Sequence, residues 1–325
     1  MSIKKQVKKL AHGGRKISRG IYRLLYAKPY RFYMKNLCPT ISAVNILNSS
    51  ESKPYQALSF FPTLIYDSKK EFKNVYKTIC RFDDNGIPNA WFNGEYRYIP
   101  ITIAQHGLCL YNFYLHSSNE KFLHRAENVG IWLVENQNRE SGAWEYHYDF
   151  YLSHVSEWMR APFCSAMGQG EGIALLSRLY QSTGKAEYYE VAKRAILPFY
   201  KTAENHGVLT YIGDNLPFYE EFPAPKQVLI LNGFMFSLIG LYDLTVIRND
   251  SEVKKLFDNG YETLIKILPL YDNGITSLYC LNHLTAAPRN PSINEYYHPI
   301  HIQLLQALNI IQKSEVLEYY ISLWK

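Results

Sequence analysis

At 325 residues the chain can bury a large core, as one helical domain with a small preface or as two domains. Its hydrophobic fraction is 47%, yet no stretch supplies the roughly 18 uninterrupted apolar residues that a membrane-spanning helix needs. The formal net charge of +6 is unevenly spread: residues 1–50 hold eleven Lys or Arg and no Asp or Glu, which leaves 24 basic against 29 acidic residues in 51–325.

The basicity therefore belongs to a tail. Its charges (Lys4, Lys5, Lys8, Lys9, Arg15, Lys16) are interleaved with Ile3, Val7, Leu10 and Ile17 at roughly helical spacing, without the apolar core of a secretion signal. A solvated extension and a helix lying on an anionic membrane face both fit this pattern. A nucleic-acid arm is the weakest reading, and no nucleic-acid partner is expected. Cys38, Cys80, Cys109, Cys164 and Cys280 are scattered and form no CxxC pair, which argues against a disulfide framework and a zinc site. The expected location is cytoplasmic, with peripheral contact to the inner membrane face through the tail.

Along the chain, residues 36–75 read as a linker and a first short helix. Asn85-Gly86 between β-prone runs predicts a hairpin over about 78–98. From Pro100 the pattern turns to amphipathic helices at 101–116, 120–137, 165–183, 186–205, 228–247, 252–268, 297–312 and 314–324. Ser118 or Asn119 can cap the second of these, Gly184 can end the third, and Pro100 suits a first helical turn. The predicted fold is mainly α: about four helical hairpins in an α/α toroid, an incomplete barrel preceded by the β-hairpin. The expected division is 1–50 as tail and linker, 51–98 as a small N-terminal region, and 99–325 as the helical domain. The long connections 138–164, 206–227 and 269–296 hold much of the Tyr, Trp, Pro and Glu, so they are where a cleft would be lined.

Tyrosine is the unusual component, 28 in 325. A ring with a polar tip suits the apolar faces and hydroxyl edges of sugars. Three clusters stand out: Gly142 to Tyr148 around Trp144 and Tyr146, Ser165 to Gly172 with three glycines at two-residue spacing, and Asn294 to His301. Pro299 keeps His298 away from helical geometry, so His298 and His301 need not share a face and no metal is expected there. No phosphate loop, HExxH or EF-hand pattern is present, and no cofactor is implied.

Tyr219-Glu220-Glu221-Phe222-Pro223, the run from Leu231 to Asp243, Leu268-Pro269-Leu270-Tyr271-Asp272 and Tyr297-His298-Pro299-Ile300-His301 occur in order. Together with Tyr98 to Leu108, around Gln105, and Ser165-Ala166-Met167-Gly168-Gln169-Gly170, they resemble the C-terminal catalytic domain of the heparan sulfate D-glucuronyl C5-epimerases over about 80–325. Residues 109–144 run directly from helix to helix, like the compact bacterial form. An Arg of the family pattern is Asn282 here.

The resemblance implies conversion of D-glucuronic to L-iduronic acid residues within a polysaccharide, and it raises the expectation of a homodimer. Such chemistry removes the proton α to a carboxylate and returns one from the opposite face. It needs a base, an acid and hydrogen-bond donors where enolate charge develops, and no redox cofactor. The family's catalytic Glu maps onto Glu221 and its two tyrosines onto Tyr279 and Tyr297. Glu221 and Tyr297 then form the opposed pair, with an ordinary Glu ionised and a Tyr protonated at neutral pH. Tyr279 is a second proton carrier or enolate stabiliser. Tyr98, Gln105, Trp144, Tyr146, Arg160, Gln169, Tyr219, Asn232, Asn282, His283 and His298 are the substrate-binding candidates, and Arg160, Arg289, His283 or His298 could supply the missing cation. The alternatives are a uronate polysaccharide lyase and a non-catalytic glycan-binding protein of polysaccharide assembly.

Overall fold

The computed structural model describes residues 71–73, 79–285, 291–293 and 297–325. The basic tail and the first short helix expected within 36–75 lie outside the described residues. The predicted hairpin is part of an antiparallel meander of four strands, β1 (Glu71–Lys73), β2 (Ile79–Phe82), β3 (Pro88–Phe92) and β4 (Glu95–Arg97), paired in chain order. Its first turn is closed by Asp83, whose Oδ1 accepts from the amides of Asn85 (3.0 Å) and Ile87 (2.8 Å). Its second is the pair Asn93 (φ 50°) and Gly94 (φ 89°), both left-handed, as a two-residue hairpin turn of this hand requires.

Helices account for most of the rest: α1 (Pro100–Ser117), α2 (Glu120–Glu135), α3 (Ala166–Thr183), α4 (Ala186–Arg194), α5 (Leu231–Arg248) and α6 (Ser251–Ile267). After the one-turn α7 (Asn282–Thr285) come α8 (His298–Ile311) and α9 (Glu315–Trp324). The first three hairpins use one device. A left-handed residue ends the first helix (Ser118 at φ 52°, Gly184 at 72°, Asn249 at 49°), and the second helix starts two residues later. Asn119 and Asp250 then cap the returning helix by accepting its free amides. The expected helix over 186–205 ends at Arg194, because Pro198 cannot supply a helical N–H; short 3₁₀ turns at Leu197–Tyr200 and Ala203–Asn205 replace it.

Each long connection carries a two-stranded antiparallel ribbon: β5 (Phe150–Leu152) with β6 (Glu157–Met159), β7 (Leu209–Ile212) with β8 (Leu216–Tyr219), and β9 (Leu278–Cys280) with β10 (Ser292–Ile293). Helices α1, α3, α5 and α8 pack each on the next to form an inner row, and α2, α4, α6 and α9 lie against them as hairpin partners. This is a mainly helical body of packed hairpins with a small N-terminal β region. No helix among the described residues is long and apolar enough to cross a membrane.

The inner row is tightest between α3 and α5. A Cβ on Gly170 would lie 2.5 Å from the Ser237 Cα, and one on Gly240 would overlap the Gly170 carbonyl, so the two backbones touch. A buried Arg178–Asp243 ion pair at 2.6 Å crosses the same interface. Because overpacking a close backbone contact costs on the order of 1–3 kcal/mol, Gly240→Ala is expected to lower the unfolding free energy by at least about that much in urea denaturation. Wild-type stability in that variant would show that the helices are free to separate.

Candidate active site

The parallel course of the inner helices determines which side chains meet. Ile101 of α1 lies against Gly168 of α3, and Gln105 hydrogen-bonds Glu171 one turn further on. Between α3 and α5, Met167 faces Asn232 and Arg178 faces Asp243. The N-terminal ends of α1, α3 and α5 therefore point the same way, toward the long connections, with their partial positive charge.

Glu221 reaches this end through the turn after β8. Phe218 stacks on Phe234 with ring centroids 4.1 Å apart, and the Tyr219 hydroxyl donates to the Leu256 carbonyl at 2.8 Å. Glu220 turns inward, its carboxyl accepting from Val228 N at 2.9 Å and from Leu229 N at 3.0 and 3.2 Å. That bond set holds Leu229 at φ 57°, in the left-handed region, and keeps 228–230 out of the helix, so α5 begins at Leu231 and not at 228. This segment lies beside β9, with Ile230 bridged to Cys280 and Leu281 N donating to the Val228 carbonyl at 3.2 Å. Glu221 lies across the head of α5: its Oε2 accepts from Asn232 Nδ2 at 3.4 Å, and its Cβ is 2.5 Å from where a Cβ on Gly233 would stand. Only glycine leaves room at 233 for that carboxyl.

Tyr279 on β9 and Tyr297 at the start of α8 have ring centroids 4.7 Å apart. Both belong to an aromatic cluster that includes Tyr146, Phe163 and Phe222, the residue after Glu221. Tyr146 stacks on Phe163 at 4.8 Å, and its hydroxyl accepts from Ile101 N at 3.4 Å. Glu221, Asn232, Tyr146, Tyr279 and Tyr297 are thus gathered at one end of the inner row.

Other sequence candidates hold the scaffold. Trp144 and Gln169 are buried: Trp144 Nε1 donates to the Leu133 carbonyl, and Gln169 accepts from Trp144 N and donates to the carbonyls of Gly142 and Ala195. Tyr219 is used as described above. The two nitrogens of His298 pair with Ser277 N (2.9 Å) and the Trp324 carbonyl (3.0 Å), which tie α8 to the chain's last helix. Asn282 donates to the His154 carbonyl at 2.7 Å. His283 is half-buried on α7. Tyr98 is exposed and donates to Asp83, and Arg160 is exposed and paired with Asp149, while Arg289 lies outside the described residues. Two cavities of about 460 and 520 Å³ flank the β7–β8 ribbon and share Leu209 and Tyr211. The first reaches Arg160 and Glu220, but neither is lined by Glu221, Tyr279 or Tyr297.

Two residues beside the site had not been singled out. Glu171 is buried with Oε1 accepting from Gln105 Nε2 at 2.9 Å. Its sequence signal is an acidic residue among the small and apolar residues of an inner helix. The half-buried His154 ring lies 5.4 Å from that of Tyr279. Nothing short of the β5–β6 turn, 125 residues from Tyr279 in sequence, brings them together.

Burial sets the electrostatics. It pushes Glu220 up to about 8 against the pull of its two amide donors. Glu221 is likewise raised to about 8, by burial and by the neighbouring Glu220 charge, with Asn232 opposing. The sequence expectation of an ordinary, ionised Glu221 is therefore corrected. At neutral pH this carboxyl mostly holds its proton.

The model of the family described as D-glucuronyl C5-epimerase C-terminus matches residues 137–325, more than half of the chain, and the chain belongs to that family. It is 30% identical over 271 residues to a D-glucuronyl C5-epimerase of Caenorhabditis elegans, covering 79% of this chain and 41% of that protein. The chain thus spans about two fifths of that relative's length. An uncharacterized protein of Methanocaldococcus jannaschii is 24% identical over 250 residues, 69% of this chain and 77% of that one. Among solved structures, cellobiose 2-epimerase from Bacillus thermoamylovorans B4167 aligns with a TM-score of 0.49 at 11% identity, covering 75% of this chain and 64% of that chain.

The buried pair also makes stability pH-dependent. Glu220 and Glu221 release protons near 4.5 when unfolded and near 8 when folded, so the stability they contribute is full below 4.5 and is lost as pH rises through 8. The melting temperature is expected to fall over that window, and less steeply in Glu220→Gln. An equal slope in wild type, Glu220→Gln and Glu221→Gln would mean that neither carboxyl is held protonated.

Proposed function

We propose that the chain is an isomerase, a C5-epimerase that converts D-glucuronate to L-iduronate residues within a uronic-acid-containing polysaccharide. The observation that carries the reading is the buried Glu221 carboxyl, seated on Gly233 at the head of α5, at the end of the inner row where the Tyr279–Tyr297 pair also stands. Family membership supports it. The C5 hydrogen of a uronate lies next to the carboxylate, so its removal sends charge into the carboxylate oxygens and leaves a planar centre. Glu221 takes the proton from one face, Tyr297 returns one to the other, and Tyr279 stabilises the intermediate or carries a second proton. A carboxyl lifted to about 8 by burial is closer in proton affinity to a phenol than an ordinary one. The two states of a reversible proton exchange are then closer in energy.

The inner-row arrangement supports an α/α toroid as the complete architecture, with 99–325 as its catalytic unit. Tyr146, Asn232 and His283 are the substrate-binding candidates nearest the reacting pair in this proposal, and Tyr98 and Arg160 bind further out along the polymer. A homodimer and a cytoplasmic, inner-membrane-facing location belong to the same proposal.

Incubating the protein with a glucuronate polymer in D2O should place deuterium at C5, faster as pH rises toward 8 and Glu221 ionises. Glu221→Gln should reduce the exchange by on the order of 100-fold or more while sparing polymer binding. An unsaturated, ultraviolet-absorbing product would instead mark a lyase, and binding without exchange a glycan-binding protein.

The tail is the proposed membrane contact. Deleting residues 1–35 should leave exchange on soluble polymer unchanged and weaken sedimentation with anionic vesicles. Equal vesicle binding by both forms would end that proposal.

A further inference from the structure

Three inner helices each send one buried polar side chain to the floor beneath Glu221. These are Gln105 from α1, Glu171 from α3 and Asn232 from α5, exposed by 3%, 3% and 1%. Two of their atoms, Glu171 Oε2 and Asn232 Oδ1, are buried without a hydrogen-bond partner. Each such atom costs the desolvation of a polar group with no return unless a partner is supplied, and these two flank the Met167–Asn232–Glu221 contact.

The helix geometry shows where Glu171 points. Met167, Gly168 and Glu171 share a face of α3, being one turn or less apart. Met167 Sδ touches Asn232 Nδ2, which donates to Glu221, and Gly168 packs beneath the Tyr146 hydroxyl. We propose that Glu171 is a further positioning residue of the site: a carboxylic acid anchored through Oε1 by Gln105, whose Oε2, without a protein partner, reaches the Glu221 carboxyl through one ordered water and so fixes which of the two carries the negative charge. The proposal rests on the epimerase reading for its catalytic consequence, not for its geometry.

The groups facing Glu171 are few. The turn after β8 supplies Glu221, the segment before β5 supplies Tyr146, α1 supplies the uncharged Gln105 and α5 the uncharged Asn232. The Arg178–Asp243 ion pair lies two turns further along α3. Burial raises Glu171 well above the ordinary carboxyl range, and a charge on Glu221 raises it further. In the proposal Glu221 is the member that ionises, and Glu171 remains a donor. An acid kept neutral by an apolar site can hold a hydrogen bond to an anion without adding charge of its own.

Two measurements on the full chain test this. In carbon-13 NMR of glutamate carboxyls, the Glu171 signal, identified by its loss in Glu171→Gln, should titrate at least one pH unit lower in Glu221→Gln than in wild type. An unchanged titration overturns the proposal. In the D2O assay, Glu171→Gln keeps the acceptor for Gln105 but cannot ionise. Wild-type exchange should fall at alkaline pH as Glu171 ionises; in Glu171→Gln that fall should move to higher pH with KM unchanged, and an alkaline limb identical to wild type also overturns the proposal. If the wild type exchanges nothing, the epimerase reading fails while the titration still decides the coupling. If Glu171→Gln fails to fold, loss of the signal in Glu171→Asp assigns it, and its titration with and without Glu221→Gln still decides.

Discussion

The backbone contact between α3 and α5 is the constraint on which the rest depends. With Gly170 and Gly240 facing each other, the two helices approach closely enough for Met167 to reach Asn232 and for Arg178 to reach Asp243. A side chain at either glycine would lift one helix off the other. The floor beneath Glu221 would then open, since Met167 and Asn232 are brought together by that approach. Gly233 repeats the device at the head of α5, where the missing side chain is replaced by the Glu221 carboxyl. Glycine here acts by the space it leaves and not by its backbone freedom.

Neighbouring carboxyls have been given different work by their partners. Glu220 is held by two amides, and in return it keeps Val228 to Ile230 out of the helix and beside β9. Glu221 has one long hydrogen bond from Asn232 and is left able to change its protonation state. Identical side chains one residue apart thus separate into one that holds backbone amides and one with a single long hydrogen bond. Raised proton affinity in both follows from burial, but only in Glu221 does it face the aromatic cluster.

Much of this was legible in the sequence, and the gaps have physical reasons. Amphipathic spacing located the helices, and the two-residue turns at 118–119, 184–185 and 249–250 were marked by Ser, Gly and Asn. The ribbons in the long connections were not legible, since strands of three or four residues leave too little alternation to read. The start of α5 at Leu231 was hidden for another reason: the residues before it are helix-compatible, and the Glu220 carboxyl holds them out of the helix, with Leu229 left-handed. Trp144, Gln169 and Tyr219 were nominated for substrate because they are polar or aromatic and lie near the motifs. Tertiary packing decides their role, and it puts their donors on backbone carbonyls.

The chain's directionality explains why chemistry gathers at one end. Turns of two residues join α1 to α2, α3 to α4 and α5 to α6, whereas connections of about thirty residues lead back to each inner helix. Every inner helix therefore begins where the long connections end, and it begins with an amide-rich, partially positive terminus. Ile101 N already donates there, to Tyr146, and Tyr297 stands at the start of α8. An anionic intermediate held among Glu221, Tyr279 and Tyr297 would feel several such termini at once, in surroundings where burial weakens the competing pull of water. Arg160 faces another cavity and His298 is fully engaged, so neither cation is placed to do this. Stabilisation by aligned helix ends and by neutral donors accounts for how a site with Asn282 in the place of an arginine could still hold a carboxylate as its charge grows.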